Sequence, residues 1–127
     1  MFVKKIKPDQ LSSTVKSSGK PVVVKFYDTN CPLCSGLAEP FERLSRQYMG
    51  SFKFIKININ DDEKLCEKYL DGGIPTLQVF VKPETHILVE YPDDEDPISG
   101  YPYSYLDKWL HHFEISYETL KNRFNNE

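Results

Sequence analysis

The sequence predicts an α/β fold: a β-sheet with helices on both faces and a further helical stretch at the C-terminus. Three observations carry this. Short β-rich runs alternate with helix-period stretches in the order β-α-β-α-β-α-β-β-α. The run VVVKFY at 22–27 has almost no polar break, which is how a strand covered on both faces reads. The crossover helices between strands have to lie on both faces of the sheet they connect.

Each element has a local reason. FVKKI (2–6) alternates weakly and reads as a short edge strand. Pro8-Asp9 opens a helix in which Leu11 and Val15 share a face, and SSGK (17–20) closes it. After VVVKFY, Asp28-Thr29-Asn30 is a turn. From Cys31 to Tyr48, Leu37, Phe41, Leu44 and Tyr48 recur at helical spacing, with Pro32 in the first turn, where its missing N–H is not needed. Pro40 lies inside this pattern and predicts a kink, and Gly50 ends it. FKFIKINI (52–59) alternates as a strand. NDDEKLCEKYL (60–70) reads as a short helix with acidic residues in its first turn, stopped by Gly72-Gly73. IPTLQVFV (74–81) and HILVEY (86–91) form a hairpin through Pro83-Glu84-Thr85. PDDEDPISGYP (92–102) is an acidic, proline-rich loop. Leu106, Trp109, Leu110, Phe113, Tyr117, Leu120 and Phe124 then share one helical stripe, on one long helix or two.

The totals bound the function. A length of 127 residues suits one domain with one core. Hydrophobic residues at 39% and aromatics at 13% exclude wholesale disorder. A formal charge of −3 argues against a general nucleic-acid binder. No apolar run approaches the ~18 residues that span a bilayer, so no membrane partner is expected. MFVKKIKPDQL is too polar for a signal peptide, and a cytosolic, reducing setting is the expectation. Three cysteines do not make a disulfide scaffold; one CxxC and one distant cysteine point to metal or redox chemistry.

Cys31 and Cys34 have three readings. A structural zinc site needs four ligands, and Cys66, His86, His111 and His112 form no second pair at finger spacing. His111 and His112 are neighbours and diverge on a helix, so no metal is expected. A permanent bridge across so small a loop removes little unfolded-state entropy. The reactive reading has positive support. Cys31 lies where a buried strand meets a helix N-terminus, and the unpaired N–H groups there stabilise an anion. The thiolate is the nucleophile of disulfide exchange. Cys31 would attack a substrate disulfide, and the less exposed Cys34, one turn further in, would resolve the mixed disulfide.

The buried strand running into CxxC, the helix after it and GGIPT at 72–76 together resemble the thioredoxin family, over roughly residues 2–110. Pro75 comes 41 residues after Cys34, the spacing of that family. The resemblance implies a thioredoxin fold: a central mixed β-sheet flanked by helices on both faces, with a C-terminal helical extension. It implies one domain over 1–127, with its core at about 2–110 and the extension at about 111–127. It also implies a cis Ile74–Pro75 bond facing the CxxC. An Ile-Pro bond goes cis at modest cost, and a proline leaves the Ile74 backbone free to pair with an extended substrate segment. Ile74, Pro75 and Thr76 are the substrate-binding candidates. The other reading is a trans turn that opens a strand. The implied activity is that of a protein-disulfide reductase, with protein disulfides as substrates. It needs no cofactor beyond an external electron donor, a flavoprotein disulfide reductase like thioredoxin reductase.

The sequence departs from the family in several places. Asn30-Cys31-Pro32-Leu33-Cys34 stands where the family has Trp-Cys-Gly-Pro-Cys. Pro32 is similar to glutaredoxins and to the more oxidising periplasmic relatives. Pro32 and Leu33 tune the thiolate against the disulfide, and potentials of these classes span about −270 to −120 mV. The direction of electron flow is open; the cytosolic setting favours a reductase. Glutathione is a second candidate donor, although no clear set of residues would hold it. Lys25 stands where the family carries a buried Asp six residues before the first cysteine. Either its ammonium lies below the pair and favours the Cys34 thiolate, or it snorkels to solvent. Asp28 and Glu39 are the candidate replacement acids. Tyr27 takes the place of a family Trp and reads as packing.

Pro40 falls one residue later than the family's kink. Cys66, beside Leu65, Tyr69 and Leu70, reads as a buried inert thiol, with a regulatory disulfide as the sharper alternative. DDED (93–96) is expected to lengthen the last hairpin connection and to be solvated, or else to steer basic partners. His111-His112 read as a solvated face. The aromatic stripe past residue 110 either packs back or contacts another chain, self-association included. A glutaredoxin-like or oxidising enzyme and a non-catalytic protein-binding module are the rival functions.

Overall fold

The computed structural model describes residues 3–125, with side chains through residue 123. Five strands form one sheet in the order β1-β3-β2-β4-β5: β1 (Val3–Lys5), β2 (Val22–Tyr27), β3 (Lys53–Asn58), β4 (Thr76–Lys82) and β5 (Thr85–Val89). β1, β3 and β2 are parallel to one another. β4 runs antiparallel to β2, and β5 antiparallel to β4. The helices are α1 (Leu11–Ser18), α2 (Pro32–Gln47), α3 (Glu63–Cys66) and α4 (Tyr103–Asn125). The sheet is mixed, as the hairpin and the crossovers require.

Strand alternation sorts the core into two layers. Val22, Val24 and Phe26 of β2 face one side, where Leu11 and Val15 of α1, Ile55, Ile57 and Cys66 pack. Val23 faces the other, with Leu37, Phe41 and Leu44 of α2 and Leu106 and Leu110 of α4. Full burial of a side chain such as Phe26 or Leu37 contributes about 1.5–3 kcal/mol. The alternation also assigns Lys25: two residues after Val23, it lies on the α2 side of the sheet.

Several elements differ from the expectation. β4 begins at Thr76, so Ile74 and Pro75 precede the strand, and β5 ends at Val89, so Tyr91 lies outside it. The 60–70 helix is broken into a 3-10 turn Ile59–Asp61, the single α-turn α3, and a second 3-10 turn Glu67–Tyr69. Asp62 causes the break. Its backbone is extended, and its carboxylate accepts from the Leu65 N–H at 3.1 Å, restarting the helix. α2 runs on through Pro40. The hairpin turn is only Pro83-Glu84, because Lys82 already pairs with Thr85. The acidic loop follows the hairpin and connects β5 to α4; it does not lengthen the hairpin.

The last segment is one helix. Leu106 and Leu110 are buried, and Trp109, Phe113 and Tyr117 stack in series at 5.6 and 6.0 Å between centroids. The stripe thus packs back onto the domain as far as Tyr117, and Leu120 is exposed. The side chain of Phe124 and all of Phe2 lie outside the described residues. Polar contacts tie α4 to α2: the Tyr48 hydroxyl donates to Asp107 Oδ1 at 2.5 Å and Gln47 Nε2 donates to it at 2.9 Å. Among the described residues, no helix is long and apolar enough to cross a membrane.

Candidate functional site

β2 delivers the chain to the site, and the Asp28–Asn30 turn reverses it. One Asp28 carboxylate oxygen accepts from the Asn30 N–H at 3.2 Å and from Asn60 Nδ2 at 2.9 Å, which fixes the turn. Cys31 is the N-cap of α2. Its backbone is extended, Pro32 occupies the first helical turn, and its Sγ accepts from the Cys34 N–H at 3.1 Å. A sulfur thus does what a Ser or Thr oxygen does at such a cap. Cys31 is half-buried, Pro32 exposed and Leu33 half-buried, whereas Cys34 is only 3% exposed. The Ile74–Pro75 peptide is cis, and the Ile74 carbonyl lies 3.8 Å from Cys31 Sγ. CxxC and GGIPT therefore face one another.

Burial pushes the Cys34 thiol up to about 12, and its contact with Cys31 adds to this. A backbone hydrogen bond from Asp28 and the charge of Lys25 pull the other way. Lys25 and Cys34 line one cleft of about 200 Å³ together with Tyr27, Asp28, Thr29, Ser35, Ala38 and Lys56. Lys25 is 4% exposed, so it does not snorkel to the surface. Its Nζ sits 5.2 Å from the Phe41 ring centroid and 5.4 Å from that of Tyr27. The ion pairs among the described residues are Lys5–Asp61, Lys7–Asp61 and His111–Glu114, so Lys25 has none. Burial and the neighbouring Lys56 lower it to about 8, against the pull of Cys34 and Glu42. Of the two candidate acids, Asp28 is committed to its turn and Glu39 is exposed.

The second wall of the site is built from the segment around Pro75. Thr76 is fully buried; its hydroxyl donates to the Gly73 carbonyl at 2.6 Å and accepts from the Asp71 N–H at 3.4 Å. Its side chain thus shapes the turn behind Pro75 rather than facing the dithiol. The acidic loop folds over the start of α2. Asp96 accepts from the Ile98 N–H at 2.7 Å and the Ser99 N–H at 3.3 Å, and its own N–H pairs with the Gly100 carbonyl. Ile98 lies so close to Gly36 that a Cβ there would come 1.9 Å from the Ile98 carbonyl oxygen. Asp93, Asp94 and Glu95 are exposed.

Cys66 is 1% exposed in the α1 layer, away from the pair, and burial raises its thiol to about 11. His111 and His112 are exposed. No cluster of metal-ligating residues exists among the described residues. Two residues of the site were missed. Lys56 is the register partner of Lys25 on β3 and sits 5.7 Å from the Tyr27 ring; the alternation of FKFIKINI carries that signal. Tyr91, whose hydroxyl donates to the Pro75 carbonyl, has no signal in the sequence beyond an aromatic at a strand end.

Comparisons agree with this geometry. In structure the chain resembles chloroplastic thioredoxin z, with a TM-score of 0.72 at 23% identity, covering 91% of this chain and 96% of that one. In sequence it is similar to an M-type chloroplastic thioredoxin of Brassica napus, 38% identical over 72 residues, 57% of this chain and 41% of that protein. It is also similar to the chloroplastic thioredoxin-like protein CITRX of Oryza sativa subsp. indica, 33% identical over 80 residues, 62% of this chain and 42% of that protein. Thioredoxin of Pseudomonas aeruginosa is 35% identical over 66 residues, 52% of this chain and 60% of that protein. The match spans about two fifths of the length of the two plant proteins. The thioredoxin family model matches residues 2–99, through both cysteines, the Ile-Pro-Thr segment and the whole sheet, and the chain belongs to the thioredoxin family.

Proposed function

We propose that this chain is a thiol–disulfide oxidoreductase that reduces protein disulfides through a reversible Cys31–Cys34 dithiol/disulfide. The observation that carries the reading is the pairing of a solvent-reachable N-cap sulfur with a buried one a single turn away, opposite the Ile74 carbonyl. The Cys31 thiolate attacks a substrate disulfide. One substrate sulfur leaves as thiolate and takes a proton, and the other is held as a mixed disulfide. Cys34 then gives up its proton and attacks Cys31 Sγ; the Cys31–substrate bond breaks and the second substrate thiol is released. Two electrons and two protons have passed to the substrate, and the chain is left as a disulfide.

The Ile74–Pro75 segment offers its backbone to an extended substrate segment as an added strand, with Thr76 shaping the turn behind it. Lys25 supplies a counter-charge to the Cys34 thiolate formed in the second step, which lowers the cost of forming it. Pro32 and Leu33 set the balance between dithiol and disulfide, and the Lys25 and Lys56 ammonium groups lie 5.4 and 5.7 Å from the Tyr27 ring centroid. No bound cofactor takes part. In a reducing, cytosolic setting an external flavoprotein disulfide reductase restores the pair.

Insulin reduction with dithiothreitol as donor tests the activity. The wild-type chain accelerates it, Cys31→Ser does not, and Cys34→Ser accumulates the mixed disulfide. A wild-type chain no faster than Cys31→Ser leaves a protein-binding module as the function. A redox titration of the pair against glutathione separates a reductase from an oxidant. Titration of Cys34 in Lys25→Ala tests the lysine; an unchanged midpoint removes it from the mechanism.

A further inference from the structure

The end of the β4–β5 ladder beside the dithiol is completed by side chains. β5 stops at Val89, opposite Leu77, so the Pro75 carbonyl lies beyond its last backbone partner. Pro75 is buried, and the Tyr91 hydroxyl donates to that carbonyl. One step along, the Tyr101 hydroxyl accepts from the Leu77 N–H at 3.3 Å and donates to the Val89 carbonyl at 2.9 Å. The two rings stack at 4.3 Å with 17° between their planes. Tyr101 is fully buried, and Gly100, at φ +77°, lets the loop pass so close that a Cβ there would lie 2.8 Å from the Tyr91 ring. The Tyr91 hydroxyl is thus held in place from behind.

We propose that Tyr91 is a positioning residue for protein substrates: by holding the Pro75 carbonyl, its hydroxyl fixes the Ile74 backbone on which an extended substrate segment pairs. This rests on the reading of Ile74–Pro75 as the substrate-docking edge. The Ile74 carbonyl is 3.8 Å from Cys31 Sγ, so a shift of this segment displaces the substrate backbone relative to the attacking sulfur. A buried carbonyl that loses the hydroxyl donating to it turns toward another donor, and the segment moves with it. A protein substrate, paired along its backbone, feels that movement. A small disulfide that presents only its sulfurs feels it less.

Tyr91→Phe keeps the ring stack and removes the hydroxyl. The test compares kcat/KM for insulin with kcat/KM for hydroxyethyl disulfide. In Tyr91→Phe the ratio falls about fivefold, the scale of one hydrogen bond, mainly through KM for insulin. Tyr101→Phe removes a hydroxyl from the same stack without touching Pro75, and keeps the wild-type ratio while lowering the melting temperature. Equal losses on both substrates in Tyr91→Phe, an unchanged ratio, or the same change in Tyr101→Phe overturns the proposal. A wild-type chain that reduces neither substrate overturns the oxidoreductase reading itself, and the role of Tyr91 with it.

Discussion

The backbone N–H of Cys34 points at Cys31 Sγ across 3.1 Å, so the first turn of α2 is capped by the sulfur that meets solvent. Of the three cysteines, Cys31 alone is not buried. Iodoacetamide at neutral pH should therefore modify Cys31 at least about tenfold faster than Cys34 or Cys66. Those two are 3% and 1% exposed, and burial holds their thiols protonated. Mass mapping of the labelled peptides checks the order, and equal labelling of all three would count against the site.

Lys25 weakens the fold it sits in. Burial lowers it to about 8 from 10.5, so between those values the unfolded chain binds more protons than the folded one. Stability therefore rises with pH across that window, and the penalty is fully present below it. Lys25→Met should raise stability at pH 7 by about 1–2 kcal/mol, discounted because the cleft admits water. The gain should shrink as pH rises above 8. Urea unfolding at pH 6, 7, 8 and 9 measures both.

Gly36→Ala sets helix propensity against the contact with Ile98. Alanine gains about 1 kcal/mol over glycine inside a helix. The new Cβ would meet a backbone carbonyl oxygen at 1.9 Å, which a rotamer change cannot relieve. The variant should lose about 2 kcal/mol net, because the 92–102 loop must lift from α2. A variant as stable as the wild type in thermal unfolding would mean that this loop is only loosely laid on the helix.

Tyr48→Phe removes the hydroxyl that joins α2 to α4 through Asp107, and should cost about 1–2 kcal/mol. Burial and that hydrogen bond raise the Tyr48 hydroxyl well above its ordinary range. The folded state thus keeps this proton where the unfolded chain loses it, and stability falls as pH rises past 10. Part of that alkaline loss should vanish in the variant, as denaturant midpoints at pH 8 and 10.5 would record.

The legible features were those with local causes. The unbroken apolar run of β2, the CxxC at a strand–helix junction and Ile74-Pro75-Thr76 all announce themselves within a few residues. Even the facing of Lys25 follows from its position two residues after Val23. α3 was harder, because NDDEKLCEKYL has helical composition throughout. The extended backbone of Asp62, seen only in three dimensions, divides it.

By itself, the sequence determined the order of the elements, the two apolar layers and the placing of one cysteine at a helix start. Periodicity and end-capping act over one or two turns, and the chain spells them out. Only the tertiary structure decided that Ile98 lies against Gly36, that Lys25 and Lys56 share a cleft with Cys34, and that Tyr91 reaches Pro75. These pairs are distant in the chain. Their meeting depends on how sheet, loop and helix pack against one another; strand alternation gives Lys25 and Lys56 a side of the sheet, but not their register with each other or their closeness to Cys34.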